Sequence, residues 1–120
     1  MKISTGCDLE QVERFVSLLE NEHFCSRVFT EEEWTHIVKS GHAIQSAAGI
    51  YCAKEAISKA LGRGLFGLLP KDLGLVWDVQ GKPQVKLNGS ALEQYGHWQI
   101  SVSISHTKEM AMATCFALEE

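Results

Sequence analysis

The chain has 120 residues, 45% of them hydrophobic and 22% charged, with 11 basic and 15 acidic side chains and a formal net charge of -4. That length sets the expectation of a single domain over residues 1–120. The weak acidic balance supplies no field for nucleic acid or a membrane surface, and no apolar run approaches the about 20 residues of a membrane-crossing helix.

Met1-Lys2-Ile3-Ser4 carries no signal-peptide core, so a cytosolic (cytoplasmic) location is expected. Cys7, Cys25, Cys52 and Cys115 are widely spaced and form no C-x-x-C pair. They read as small apolar side chains rather than as a disulfide framework. His23, His36, His42, His97 and His106 show no metal-ligand spacing with them.

In chain order, Lys2 to Asp8 alternates enough to predict a short strand, with Asp8 at its end. Leu9 to Leu19 places Leu9, Val12, Phe15, Val16 and Leu19 on one face, which predicts a helix that Asp8 would cap. Thr30-Glu31-Glu32-Glu33 has the form of a capping box opening a second helix, ended by Gly41. A long apolar helix is expected from Ala43 to Leu61, terminated by Gly62-Arg63-Gly64. Leu65 to Leu69 reads as a covered loop and Pro70-Lys71-Asp72 as a turn. Leu73–Val79 and Gln84–Leu87 read as a hairpin about the Gly81-Lys82-Pro83 turn. Asn88 to Tyr95 reads as a short helix. Trp98 to Ser105 alternates strongly and predicts a strand; His106 to Glu109 is a turn, and Met110 to Leu118 a closing strand. The order predicts an α+β fold, a mainly antiparallel sheet packed against a long central helix and shorter helices.

Four groups can carry chemistry. Asp8 is either a helix N-cap or a carboxylate held at a strand end to ligate a cation. Glu55 and Lys59 stand one turn apart on the long helix, beside Ala48, Cys52 and Ala56. They are either a surface salt bridge or a metal ligand next to an anion-facing lysine. One carboxylate or two, with phosphate oxygens and waters, suffices for Mg2+. Gly62-Arg63-Gly64 is either a helix C-cap or a close approach for phosphate. In Ser103-Ile104-Ser105-His106-Thr107, a Ser-His hydrolase lacks its orienting partner. His106 is better suited to a phosphate contact or to proton acceptance.

Together these motifs resemble the holo-acyl-carrier-protein synthase family of 4'-phosphopantetheinyl transferases. The resemblance is carried by Gly6-Cys7-Asp8, Phe29-Thr30 with Glu33, Ala53-Lys54-Glu55-Ala56 with Ser58-Lys59-Ala60, Gly62 and Gly64, Gly81-Lys82-Pro83, and Val102 to Thr107. It implies Mg2+-dependent transfer of phosphopantetheine from coenzyme A to a serine of an apo acyl carrier protein, with release of adenosine 3',5'-bisphosphate. It further implies that Asp8 and Glu55 hold the metal and that Lys59 neutralises phosphate. Ser105, His106 and Thr107, with Gly62 and Gly64, would line the phosphate or nucleotide site. Gly81-Lys82-Pro83 would border the adenine, and Arg14 would face the carrier protein. The family also implies homotrimers with sites between subunits. Two positions depart from it: Ile50 stands where the family has Arg, and Cys7 where it has Val or Ile. Arg27 and Arg63 are the cations considered as substitutes. The competing reading is a non-catalytic module that binds a carrier protein or a nucleotide on the same fold.

Overall fold

A computed structural model describes residues 1–64 and 67–120. Along the chain run β1 (Lys2–Gln11), α1 (Arg14–Leu18), α2 (Glu22–Val28), α3 (Glu31–Lys39), α4 (Ala43–Ala60), a 3-10 turn (Pro70–Asp72), β2 (Leu73–Trp77), β3 (Pro83–Leu87), α5 (Gly89–Tyr95), β4 (Gln99–His106) and β5 (Met110–Glu119). The α+β class holds, with antiparallel pairing throughout and α4 as the central helix. The strands form two sheets, a three-stranded one in the order β1-β5-β4 and the two-stranded hairpin β2-β3. No helix among the described residues is long and apolar enough to cross a membrane.

The N-terminal third departs from the sequence expectation. β1 does not stop at Asp8 but continues to Gln11, paired residue by residue with β5 from Lys2 opposite Glu119 to Gln11 opposite Met110. The ladder with a strand about a hundred residues away overrides the local helical spacing of Leu9 to Leu19. Only Arg14–Leu18 remains helical, and Asp8 caps nothing. Leu9, assigned to a helix face, lies on the open side of the sheet at 63% exposure. A further helix, α2, stands before the capping-box helix. Its N-cap is Asn21, whose side chain accepts from Phe24 N at 3.0 Å. The expectation for Leu65 to Leu69 falls partly outside the described residues; Leu69 itself is exposed.

The capping box at Thr30 and Glu33 is formed in both directions, at 3.1 and 2.9 Å. α4 lies across the inner face of the three-stranded sheet. Ala48, Cys52, Ala53, Ala56 and Ala60 are buried along it, and Cys52 Sγ donates to Ala111 O at 3.4 Å. The approach is closest at Gly6 of β1. A Cβ there would lie 2.1 Å from Ala56 O and 2.7 Å from Ala60 N, so only glycine lets strand and helix meet. α4 ends in a Schellman-type cap: Gly62 has φ +74°, and Arg63 N donates to Ser58 O at 2.9 Å. Phe15, Phe24, Phe29 and Tyr51 close the core beyond the strand end.

Candidate active site

Side chains alternate along β1, so Ser4, Gly6, Asp8 and Glu10 face α4 while Ile3, Thr5, Cys7, Leu9 and Gln11 face away. The close contact at Gly6 brings Asp8 beside the middle of α4, where Glu55 and Lys59 share a face. The helix salt bridge that spacing allows between Glu55 and Lys59 is not made. Lys59 reaches instead across to the strand, its Nζ 3.2 Å from Asp8 Oδ1 and 2.9 Å from Cys7 O. Asp8 Oδ2 and Glu55 Oε2 are both shut from solvent and have no hydrogen-bond partner.

Two desolvated carboxylate oxygens without donors are costly unless something positive sits between them. Burial, and then the neighbouring Asp8, push the Glu55 carboxyl above the usual range against the pull of Lys59. Glu10 is also pushed up by burial and by Asp8, while Arg14 pulls it down. Arg14 pairs with Glu10, and its guanidinium carbon lies 5.8 Å from the ring centroids of Phe15 and Tyr51. Tyr51 is raised by burial and by Glu55. The result is a partly buried pocket of three carboxylates, a lysine and an arginine, with the lysine and arginine half-exposed. The donor set is hard oxygen, and orphaned oxygens of Asp8 and Glu55 fit a small divalent cation such as Mg2+. Glu10 and Tyr51 escaped sequence reasoning. The signal for Glu10 was its spacing of two from Asp8, hidden because the strand was expected to end at Asp8.

The remaining residues lie apart. Neighbours on a strand project to opposite faces, so Ser105 and His106 do not form a unit. Ser105 faces outward. His106 lies on the helix side, its ring 5.3 Å from that of His42, which in turn contacts Ser46 Oγ at 3.0 Å. His106 stands opposite Ala111, and Ala111 opposite Glu10, so the imidazole is about 10 Å from β1 across the sheet. Thr107 Oγ1 is used locally, accepting from Glu109 N and Met110 N. Gly81-Lys82-Pro83 forms the hairpin turn, ordered by Asp78 Oδ1, which accepts from Gln80 N and Lys82 N at 2.9 Å. Its Lys82 borders a groove of about 240 Å³ with Ser101, Ser103, Thr114 and Phe116. Thr114 and Phe116 also line a groove of about 610 Å³ that ends at Cys7 and Lys59.

Ile50 is 2% exposed and belongs to the core. Neither candidate substitute reaches it. Arg63 is engaged with Gln94 Oε1, Tyr95 OH and Gly67 O, and Arg27 is exposed on α2.

Residues 4–115 match the family model described as the 4'-phosphopantetheinyl transferase superfamily. The holo-[acyl-carrier-protein] synthase of Caldanaerobacter subterraneus subsp. tengcongensis is 38% identical, over 98% of this chain and 96% of the relative. That of Alkaliphilus metalliredigens is 40% identical, over 93% and 95%. Among solved structures, the holo-(acyl-carrier-protein) synthase of Bacillus anthracis in complex with CoA (3',5'-ADP) superposes with a TM-score of 0.82 at 28% identity, over 98% of this chain and 96% of that one. The chain therefore belongs to the 4'-phosphopantetheinyl transferase superfamily.

Proposed function

We propose that this protein is a Mg2+-dependent holo-[acyl-carrier-protein] synthase. It transfers 4'-phosphopantetheine from coenzyme A to a serine of an apo acyl carrier protein and releases adenosine 3',5'-bisphosphate. The observation that carries the reading is the pair of buried, donorless oxygens on Asp8 and Glu55 with Lys59 beside them. The names of the relatives and the CoA complex of the Bacillus anthracis protein support the substrates.

In this reading Asp8 and Glu55 hold Mg2+, which supplies neutralisation of the pyrophosphate charge. Lys59, half-exposed and anchored to Cys7 O, presents its remaining donor capacity to a phosphate oxygen. The turn at Gly62 and Gly64 follows one helical turn beyond Lys59 and gives the nucleotide backbone-close access. Displacement at phosphorus needs such positioning more than a covalent intermediate. Burial and the neighbouring Asp8 raise the Glu55 carboxyl, an electrostatic cost that a bound cation would relieve.

Ser105, His106, Thr107 and the Gly81-Lys82-Pro83 turn belong to the nucleotide end of the site. The position of His106 two strands away from β1 across the sheet is the reason to place the complete site at a seam between subunits of a homotrimer. The outer sheet face, with Ile3, Leu9, Met112 and Phe116 at 40–63% exposure, is the surface that assembly would cover. Arg14, half-exposed at the rim, is the contact for an acidic carrier protein. The remaining assignments are one domain over residues 1–120 and a cytoplasmic setting. A non-catalytic binding module would gain nothing from two desolvated carboxylates.

The test is transfer itself. Incubation with coenzyme A, Mg2+ and a panel of apo carrier proteins should add one phosphopantetheine mass to at least one carrier. No mass gain on any carrier by folded protein would refute the proposal.

A further inference from the structure

We infer that Glu33 and Lys54 take the place of a third strand beside β2, and that this buried ion pair is a positioning pair holding the two ends of the substrate site at a fixed spacing. The inference rests on the reading of Glu55 as a metal ligand and of the Gly81-Lys82-Pro83 turn as the nucleotide border.

The hairpin hydrogen bonds define the free edge of β2. Asp72 O accepts from Asn88 N at 2.8 Å, and Asp78 N donates to Lys82 O at 3.0 Å. Even-numbered residues therefore turn their backbone polar groups toward β3, and Leu73, Leu75 and Trp77 turn theirs away. Among the described residues no strand pairs with that second edge. Leu73 and Leu75 are buried, so their edge groups need partners from elsewhere. The ion pair supplies them. Lys54 Nζ donates to Leu73 O at 3.1 Å, and Glu33 Oε2 accepts from Leu75 N at 2.8 Å. One donor and one acceptor do what a residue of a neighbouring strand would do. The three ammonium donors of Lys54 are all used, on Glu33 Oε2, Pro70 O and Leu73 O.

The contact continues one turn along α3. His36 follows Glu33 by three residues on the same helix face. Its ring stacks on Trp77, with centroids 3.7 Å apart and planes 3° apart. Trp77 stands opposite Pro83, the last residue of the hairpin turn. At the other end of the pair, Lys54 immediately precedes Glu55. A short, buried chain of contacts thus joins the metal ligand to the nucleotide border. Without the pair the hairpin is free to shift against α4, and both ends of the site lose their spacing together.

The test combines steady-state kinetics with residue-resolved amide exchange by NMR, on the full chain, at a temperature where circular dichroism shows every variant folded. Glu33→Leu/Lys54→Met strands no buried charge but gives the β2 edge no partner. Glu33→Gln/Lys54→Met also removes both charges, yet keeps an amide that can accept from Leu75 N. The Leu/Met variant should lose about a hundredfold in kcat/KM for coenzyme A, the scale of an about 1 Å misplacement. Its KM for coenzyme A should rise and its kcat fall, with the KM for the carrier unchanged. Its Leu75 amide should exchange about tenfold faster, as expected for loss of a charge-assisted bond. The Gly74 and Val76 amides, which face β3, should keep the parent rate. The Gln/Met variant should recover most of both losses.

Parent kcat/KM in the folded Leu/Met variant overturns the inference, and so does parent exchange at Leu75. Equal losses in the two double variants overturn it too, as does a carrier KM that rises in step with that for coenzyme A, which marks general loosening. Should the Leu/Met variant not fold, Glu33→Asp decides, because it keeps the charge and shortens the reach to Leu75: parent kcat/KM with parent Leu75 exchange overturns the inference. A parent inert toward every carrier sinks the function reading instead, and Leu75 exchange alone then decides whether the pair holds the hairpin.

Discussion

Lys54 Nζ lies 2.9 Å from both carboxylate oxygens of Glu33, and both side chains are buried. Lys54 donates further to Pro70 O at 2.8 Å and to Leu73 O at 3.1 Å, and Glu33 accepts from Leu75 N at 2.8 Å and Thr30 N at 2.9 Å. One ion pair thus ties α3, α4, the 3-10 turn and β2. Glu55 is the next residue after Lys54, and the helix turns it by about 100° onto the site face. The pair fixes the rotation of α4 from behind and so fixes where Glu55 points.

Replacing Lys54 by Met should therefore be severe. It strands the Glu33 carboxylate in the core, a loss of about 3–5 kcal/mol for a broken buried pair. Chemical denaturation should show a much lower midpoint. Glu33→Gln in the same chain should recover part of it, because Gln still accepts from Leu75 N or Thr30 N.

The site itself should cost stability when no metal is bound. The Glu55 carboxyl is raised by burial and by Asp8, so its folded value lies above its unfolded value. Between the two values the folded state binds more protons. The contribution of Glu55 is then fully present below the unfolded value of about 4.3 and is lost as pH rises through the folded one. Glu55→Gln should accordingly unfold at higher temperature than the parent near neutral pH, by on the order of 1 kcal/mol, in metal-free buffer. Near pH 4 the two should differ little. Thermal scans at several pH values in chelator check this, and a neutral-pH parent as stable as Glu55→Gln would contradict it.

Gly6→Ala tests the contact that builds the site. The new Cβ would sit 2.1 Å from the Ala56 carbonyl oxygen, which is backbone and cannot swing away. β1 and α4 must separate, at about 1–3 kcal/mol for overpacking. Because that separation moves Asp8 from Glu55, transfer activity should fall further than the remaining folded fraction accounts for. Activity that tracks folded fraction alone would contradict the role given to Gly6.

Lys59→Met should raise the KM for coenzyme A and lower kcat, since it removes the only lysine beside the acid pair among the described residues. Lys59→Arg should restore part of the binding. Steady-state kinetics with the best carrier separates the two parameters.

Much of this was legible in the sequence. The capping box at Thr30, the long helix, the Gly81-Lys82-Pro83 hairpin and the alternating final strands are local patterns, and each formed where expected. Asp8, Glu55 and Lys59 were named together and do meet. What failed was non-local. Leu9 to Leu19 has helical spacing, but β5 captures its first three residues as strand, and no local pattern announces a partner so far along the chain. The same ladder turned Asp8 from a cap into an inward side chain and brought Glu10 beside it. Lys54 had no assigned partner because Glu33 lies a helix away. Ser105 and His106 looked like a pair only because they are consecutive, and strand alternation separates them.

The most direct test of the account is the Mg2+ dependence of carrier modification by the parent and by Glu55→Gln, read as the mass of the apo carrier after incubation with coenzyme A. The parent should add one phosphopantetheine in Mg2+ and none in chelator, and folded Glu55→Gln should add none in either. Modification that persists in chelator, or at the parent rate in Glu55→Gln, would contradict it.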